Sequence, residues 1–429
     1  MNTNSFYSYS FGCRVNEAEK EEIDRQMSLK GFIFDRKNPG IFIINTCSVT
    51  NKAEREARQL IYQTKKNLPD TKIVVTGCSA TYWLKNNLYQ NLPVDLIIDN
   101  VHKEFLIDLI RKRLGFKPTR SHNLPYNLNS NKFIGSGRVM IKIQDGCQRY
   151  CTFCMVPYLR GIPKSQRINN LELKIKNFEG KAKEVILTAI NTQAFGFDTK
   201  ETFIDLIKTV IKKTTIPRIS LGSVHPWSLT DDFLAFYRSF LPKNRLINFF
   251  HIPIQSGSNK MLSLMKRGYR REEILSKLNE LQGLNPFALI ATDIIVGFLE
   301  ETDSDFEETY NFLKDSPINK FHIFRFSKRS KTQADYMAKS LIEPSAADKL
   351  KRAEVLIKLS HKKFEKFNIK NVGRVSSVLF LEKTTGKYRN WLLYNQLPIL
   401  VASGSAKAGE IKNVKVIEFK KGRLFGKII

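Results

Sequence analysis

Residues 138–154 read RVMIKIQDGCQRYCTFC, an alternating apolar run that ends in Cys147, Cys151 and Cys154 at C-x3-C-x2-C spacing. The run has the length and alternation of a strand. The loop after it holds three thiols within eight residues, close enough to face one centre. Structural zinc usually needs a fourth ligand at finger or ribbon spacing. The nearest histidines, His122 and His225, stand at no such spacing. Three thiolates on a four-iron cluster would instead leave one iron open to a substrate or cofactor. That is a catalytic arrangement, so an iron–sulfur site is expected, with zinc or inert thiols as the alternatives.

The same run opens a series of six candidate strands: 138–144, 184–190, 218–223, 248–254, 288–298 and 320–326. Between them lie helical segments such as ETFIDLIKTVIKK and REEILSKLNELQG, with apolar residues three and four apart. Six β/α units predict an open, partial (β/α)6 barrel, whose chemistry belongs at the carboxyl ends of its strands. The cysteine loop follows the first of these ends. Asn191, Ser223, His251, Gln255 and Asp293 fall at others and are expected to line the mouth, although each could be a satisfied core or capping group.

Toward the amino terminus the pattern is strand–Cys–helix three times over, with Cys13 after SFYSYSFG, Cys47 after IFIINT and Cys78 after KIVVTG. The helical runs NEAEKEEIDRQMSLKG and NKAEREARQLIYQTKKN follow the first two. Alternating strands and helices imply a parallel sheet, which gathers its carboxyl-end loops along one edge. Three cysteines distant in sequence can converge there. Three buried small hydrophobes are the other reading, since free cysteine is commonly buried.

Toward the carboxyl terminus, from about residue 370, short alternating runs (RVSSVLFLEK, WLLYNQLPILVASG, EIKNVKVIEF and RLFGKII) are separated by the turn-like TTGKYRN and SGSAKAGE. They predict a small β-barrel. The basic helix before it, ADKLKRAEVLIKLSHKKFEKFNIK, is free to pack back on the central barrel. Lys+Arg 70 against Asp+Glu 41 leaves +29, and residues 351–429 hold 18 Lys/Arg against 5 acids. Such an excess suits a polyanion, nucleic acid first, with a merely solvated basic surface as the alternative. No apolar run reaches the ~18 residues of a membrane span, and the start shows no secretory pattern. A cytoplasmic protein with reduced thiols is expected, and no membrane partner. The domains read as 1–112, a linker at 113–133, the barrel at 134–366 and the β-segment at 367–429.

At GCQRYCTFCMVPYLRG (146–161) the chain resembles the radical S-adenosylmethionine (SAM) methylthiotransferase family. GCRVNEAEKE, INTCSVTNKAEREARQ and VTGC resemble its N-terminal cluster domain. LTAINTQAFG, HIPIQSGSNKMLSLMKRGY, TDIIVGF and SKRSKT resemble its central barrel, and the terminal β-segment resembles its RNA-binding TRAM module. INTCSVTNKAE and SKRSKTQADYM are most similar to the branch acting on N6-threonylcarbamoyladenosine next to the anticodon of tRNA. The chain departs from the family pattern at Ala189 (LTAIN), at Leu299 and Glu300 (GFLEET), at KSQR (164–167) and at SVHP (223–226). SVHP resembles the isopentenyladenosine branch.

The resemblance implies two [4Fe-4S] clusters. Cys147, Cys151 and Cys154 would hold the one that chelates SAM, and its reduction would yield a deoxyadenosyl radical. Such a radical suits an adenine C2–H, which offers neither an acidic proton nor a leaving group, so acid–base catalysis would not suffice. Cys13, Cys47 and Cys78 would hold the second, sulfur-carrying cluster. Asn191, Ser223, Gln255 and Asp293 are the expected SAM contacts, and Lys420, Lys421 and Arg423 the expected RNA contacts. The implied activity is that of a tRNA (N6-L-threonylcarbamoyladenosine-C2)-methylthiotransferase. Its partners would be a tRNA anticodon stem-loop, a flavodoxin- or ferredoxin-like reductant and a sulfur donor. The competing readings are methylthiolation of isopentenyladenosine or of a ribosomal-protein aspartate, and a non-catalytic RNA-binding metalloprotein.

Overall fold

The computed structural model describes residues 4–116, 137–241, 245–385, 388–402 and 406–429. Short apolar runs build the first sheet: β1 (Ser5–Ser10), β2 (Ile33–Phe34), β3 (Ile41–Thr46), β4 (Lys72–Gly77) and β5 (Leu96–Ile97). All pair in parallel, in the order β2-β1-β3-β4-β5. IFIINT in β3 is buried throughout, as a parallel strand covered on both faces should be. The covering helices are α1 (Arg14–Leu29), α2 (Asn51–Asn67), α3 (Cys78–Lys85) and α4 (Leu106–Leu114). Helix α2 shows why the local sequence is helical. The Thr50 hydroxyl accepts from the N–H of Ala53 at its start, and Lys65 and Lys66 occupy the last turn, where the helix dipole favours cations.

Helix α4 overruns the expected start of the linker. Leu106 and Ile110 are buried in the first sheet's core, which holds the basic turn Arg111–Arg113 in helical form up to Gly115. The rest of the expected linker, 117–133, lies outside the described residues.

The six strands expected in the centre are all present. They are β6 (Arg138–Asp145), β8 (Glu184–Ala189), β9 (Arg218–Leu221), β10 (Phe249–His251), β11 (Leu289–Val296) and β12 (Lys320–Arg325). A short β7 (Lys164–Ser165), not foreseen, pairs antiparallel with the end of β6. The parallel order runs β6-β8-β9 and β10-β11-β12, and the halves join where Ile247 N–H donates to Ile219 O (2.8 Å) and Val224 N–H to His251 O (2.8 Å). The result is an open barrel over the largest apolar core of the chain.

An open barrel leaves two strand edges with unpaired backbone groups. Side chains answer both. On β6 the Glu21 carboxylate of α1 accepts the N–H of Met140 (2.8 Å). On β12 the Ser360 hydroxyl accepts the N–H of Phe321 (2.8 Å), from the long helix Ala346–Lys370. The basic helix therefore does pack back on the barrel.

The C-terminal segment closes into a five-stranded barrel of β13 (Val375–Thr385), β14 (Tyr388–Leu393), β15 (Pro398–Ala402), β16 (Ile411–Lys420) and β17 (Arg423–Ile428). The run WLLYNQLPILVASG, expected as one segment, is two strands. The chain reverses at Gln396 (φ 62°), and Leu393 N–H donates to Leu397 O (3.0 Å). The expected turn 384–390 is correspondingly narrow, because β13 reaches Thr385 and β14 begins at Tyr388. This barrel docks on the amino-terminal ends of the central strands: the Arg218 guanidinium donates to Leu392 O (3.2 Å) and Leu393 O (2.8 Å), and Gln396 to Glu184 (2.8 Å). It thus sits at the end away from the cysteine loop.

Candidate metal-cluster and cofactor site

Cys13, Cys47 and Cys78 stand at the carboxyl ends of β1, β3 and β4, three adjacent strands of one sheet. Sheet order alone therefore brings together residues dispersed over the sequence. Gly12 shows how closely. Its φ is 89°, a conformation suited to glycine, and a Cβ added there would lie 2.4 Å from Cys47 Sγ. The loop of Cys13 is thus pressed on the sulfur of Cys47. Cys47 is buried, and burial pushes its thiol up to about 12. Without a metal it is a neutral thiol, and ligation has to displace its proton.

Cys147, Cys151 and Cys154 lie on the loop after β6. Gly146 (φ 73°) lets the chain turn there, since a Cβ would lie 2.1 Å from Ile162 O. Backbone bonds shape the loop: Cys147 N–H donates to Gly161 O (3.0 Å), Cys154 N–H to Cys151 O (2.9 Å) and Thr152 N–H to Met265 O (3.2 Å). Burial raises the Cys154 thiol to about 12. Asn191, at the end of β8, places Nδ2 3.7 Å from Cys147 Sγ.

The other expected contacts divide. Ser223 and Asp293 are joined through His251, which donates from Nε2 to Asp293 Oδ1 (2.9 Å) and meets the Ser223 hydroxyl at Nδ1 (2.9 Å). His322 Nδ1 reaches the same carboxylate oxygen (3.1 Å). Two donated hydrogen bonds hold Asp293 well below the usual carboxylate range. Gln255 adopts φ 77° and acts through its backbone, with its N–H on Asp293 O (2.9 Å) and its carbonyl accepting from Ile295 (2.9 Å). Lys420, Lys421 and Arg423 are exposed on the β16–β17 hairpin, apart from both cysteine groups.

Sequence reasoning missed the arginines. Arg267, 4% exposed, donates from Nη1 to Cys151 Sγ (3.2 Å) and from Nη2 to Pro253 O (2.8 Å). Its guanidinium and that of Arg149 lie 4.4 and 4.3 Å from the ring centre of Trp227. Arg160 donates from Nε to Cys78 Sγ (3.3 Å) and is otherwise held by Glu19, Asp145 and Asn16. Arg329, in SKRSKT, donates to Glu54 of α2 (2.6 Å) and clasps the first sheet to the barrel. The available signal was weak: a single arginine beside an apolar run, as in VPYLRG or SLMKRG, marks a cation drawn toward the interior.

Both cysteine groups fit an iron–sulfur cluster. One has three thiols at three strand ends and the other three thiols on the loop after β6, and each has a buried arginine N–H aimed at one sulfur, a hydrogen bond that suits a metal-bound thiolate. Among the described residues, only His251, Asp293 and His322 bring three ligand atoms within the 4.8 Å that suits a single ion.

The model of an uncharacterized protein family, UPF0004, matches residues 5–99, and that of the radical SAM superfamily matches residues 141–313. A threonylcarbamoyladenosine tRNA methylthiotransferase of Aquifex aeolicus is 32% identical over 89% of this chain and 94% of its own. A tRNA-2-methylthio-N(6)-dimethylallyladenosine synthase of Thermodesulfovibrio yellowstonii is 33% identical over the whole of both chains. Among solved structures, the radical SAM methyltransferase TsrM of Kitasatospora setae aligns with TM-score 0.54 at 10% identity, over 75% of this chain and 72% of its own, which is a likeness of fold. No described helix is long and apolar enough to cross a membrane.

Proposed function

The chain belongs to the radical SAM tRNA methylthiotransferase family, whose members use SAM and two [4Fe-4S] clusters, and from that premise we propose that it methylthiolates C2 of N6-threonylcarbamoyladenosine in tRNA. The pair of three-cysteine groups, one at three strand ends and one on the loop after β6, each with an arginine N–H on one sulfur, supports the methylthiotransferase chemistry. The observation that carries the choice of substrate is the resemblance of INTCSVTNKAE and SKRSKTQADYM to the threonylcarbamoyladenosine branch, together with the similarity to the Aquifex aeolicus enzyme. In this reading Cys147, Cys151 and Cys154 hold the SAM-chelating cluster, and Cys13, Cys47 and Cys78 hold the second. When bound, the clusters and SAM supply the radical and the sulfur.

The chain's own residues do the positioning. Asn191 beside Cys147, and the Ser223–His251–Asp293 chain across the mouth, are the polar groups offered to SAM. Gln255 sets the spacing between β10 and β11 through its backbone bonds to Asp293 and Ile295. On the flanks, Glu21 and Ser360 each satisfy one backbone N–H of an edge strand, Met140 of β6 and Phe321 of β12, and so hold those strands against α1 and the long helix Ala346–Lys370. Lys420, Lys421 and Arg423 take phosphates of the RNA backbone. An anticodon loop is a suitable substrate, since its unstacked bases can enter a pocket singly. A flavodoxin- or ferredoxin-like reductant and a sulfur donor complete the partners.

A second reading, isopentenyladenosine in tRNA as substrate, is favoured by SVHP (223–226) and by the full-length similarity to the dimethylallyladenosine synthase. Mass spectrometry of nucleosides separates the two, after tRNA bearing either modified adenosine is incubated anaerobically with reconstituted protein, SAM and reductant. A methylthio mass gain on the threonylcarbamoyl nucleoside alone supports the main reading. A gain on the isopentenyl nucleoside alone replaces it with the second.

A further inference from the structure

Arg160 is in an unusual position for a cation. Its side chain is 1% exposed, and every nitrogen of its guanidinium is used across the junction of the two cysteine-bearing units. Nη1 donates to Glu19 Oε1 (2.8 Å) and to both oxygens of Asp145 (2.9 and 3.1 Å), and Nη2 to Asn16 Oδ1 (2.7 Å) and Glu19 Oε2 (3.3 Å). The one remaining donor, Nε, points at Cys78 Sγ at 3.3 Å. Asn100 Nδ2 faces the same sulfur at 3.7 Å. Cys78 thus receives a charge-assisted hydrogen bond that Cys13 and Cys47 lack among the described residues.

The carboxylates tie Arg160 into a wider ion-pair network. Glu19 is shared with Lys103 (2.7 Å) and Lys142 (2.8 Å), and Asp145 with Lys142 (2.6 Å). Asp145 also accepts the N–H of Gly146, the residue before Cys147 (2.8 Å). The loop that carries Arg160 returns a bond of its own, from Cys147 N–H to Gly161 O (3.0 Å). A single side chain therefore fixes Cys78 relative to the start of the Cys147 loop.

We propose that Arg160 is a positioning residue that holds the cluster on Cys13, Cys47 and Cys78 at a raised reduction potential through its N–H on the Cys78 sulfur. The inference rests on the reading that these three cysteines hold a cluster. Hydrogen bonds to cluster sulfurs and nearby buried positive charge both favour the reduced form. The guanidinium supplies both to this cluster. The cluster on Cys147, Cys151 and Cys154 meets a different arginine, Arg267, on Cys151. The two potentials are therefore set by separate side chains.

The test is an EPR-monitored redox titration of the full-length, reconstituted protein. A Cys147→Ala/Cys151→Ala/Cys154→Ala variant assigns the signal of the other cluster. Arg160→Gln is paired with Glu19→Gln, so that the net charge of the junction is unchanged, and Glu19→Gln alone is the reference. Arg160→Lys keeps the charge but not the Nε–H. The expected result is a more negative midpoint for the cluster on Cys13, Cys47 and Cys78 in Arg160→Gln/Glu19→Gln, a smaller shift in the same direction in Arg160→Lys, and an unmoved midpoint for the other cluster.

An unchanged midpoint in Arg160→Lys overturns the proposal, even where the glutamine variant fails to keep its cluster. Equal shifts in both clusters overturn it as well. If the unmodified protein shows no second cluster at all, the functional reading beneath the proposal fails instead.

Discussion

The guanidinium of Arg14 donates to the carbonyl of Gly222 at 3.0 Å, joining the residue after Cys13 to the end of β9, 208 residues further along the chain. The first sheet is thereby pinned over the open barrel, with the loop of one cysteine group facing the strand ends that carry the other polar groups. Arg14→Ala should leave iron content unchanged and slow methylthio product formation about 10²-fold, the usual consequence of ångström-scale misplacement at a reacting centre. Iron and sulfide analysis beside single-turnover mass spectrometry checks both halves. Full activity would show that the pin has no part in alignment.

Gly12 has no room for a side chain. Gly12→Ala puts a methyl 2.4 Å from Cys47 Sγ at φ 89° and, on the proposed assignment of a cluster to Cys13, Cys47 and Cys78, should remove that cluster while sparing the other. Iron per chain should fall to about half. Gly283→Ala is the control, because an added Cβ there meets nothing within 4 Å.

The basic hairpin predicts salt-sensitive RNA binding. Charge reversal at Lys420, Lys421 and Arg423, all exposed, should weaken tRNA affinity and flatten its dependence on salt, by a slope of about one for each phosphate no longer neutralised. Filter binding across a salt series measures this. Both clusters should persist, since the hairpin belongs to a barrel docked at the far end of the central strands.

Glu21 makes stability depend on pH. Burial between α1 and β6 pushes its carboxyl up to about 8, with Glu17 and Asp24 adding to the rise and the Met140 N–H and Lys20 opposing it. The unfolded value is near the ordinary ~4.3, so the folded state binds the extra proton. Its contribution is therefore full below the unfolded pKa and is lost as pH climbs through the folded one. Denaturant midpoints of Glu21→Gln and the unmodified protein should be similar near pH 4 and diverge toward pH 8, in favour of the glutamine. Parallel curves across that range would refute the assignment.

Much of this architecture is legible in one dimension because it rests on local periodicity. The alternation of RVMIKIQ, the apolar run IFIINT, the three- and four-residue spacing in the helices and the C-x3-C-x2-C loop each report a structure built from near neighbours. Boundaries were less clear where tertiary packing outweighed composition. The basic end of α4 reads as linker until Leu106 and Ile110 are seen in a core. WLLYNQLPILVASG reads as one run until the barrel's closure demands a reversal at Gln396.

Sequence by itself marked which residues are candidates for metal chemistry, because six thiols fall into two groups of three, one on a single loop and one in a repeated strand–Cys–helix context. Only the tertiary structure decided what surrounds the sulfurs. Arg160 and Arg267 lie 82 and 116 residues from the cysteines they touch, and no periodicity links such pairs. Their meeting depends on strand order and on the seating of one sheet against the open edge of the other. Buried guanidinium groups are tolerated there because Glu19 and Asp145 take up the hydrogen bonds of Arg160 and the backbone carbonyl of Pro253 takes up one of Arg267, a condition that exists only once the chain is folded.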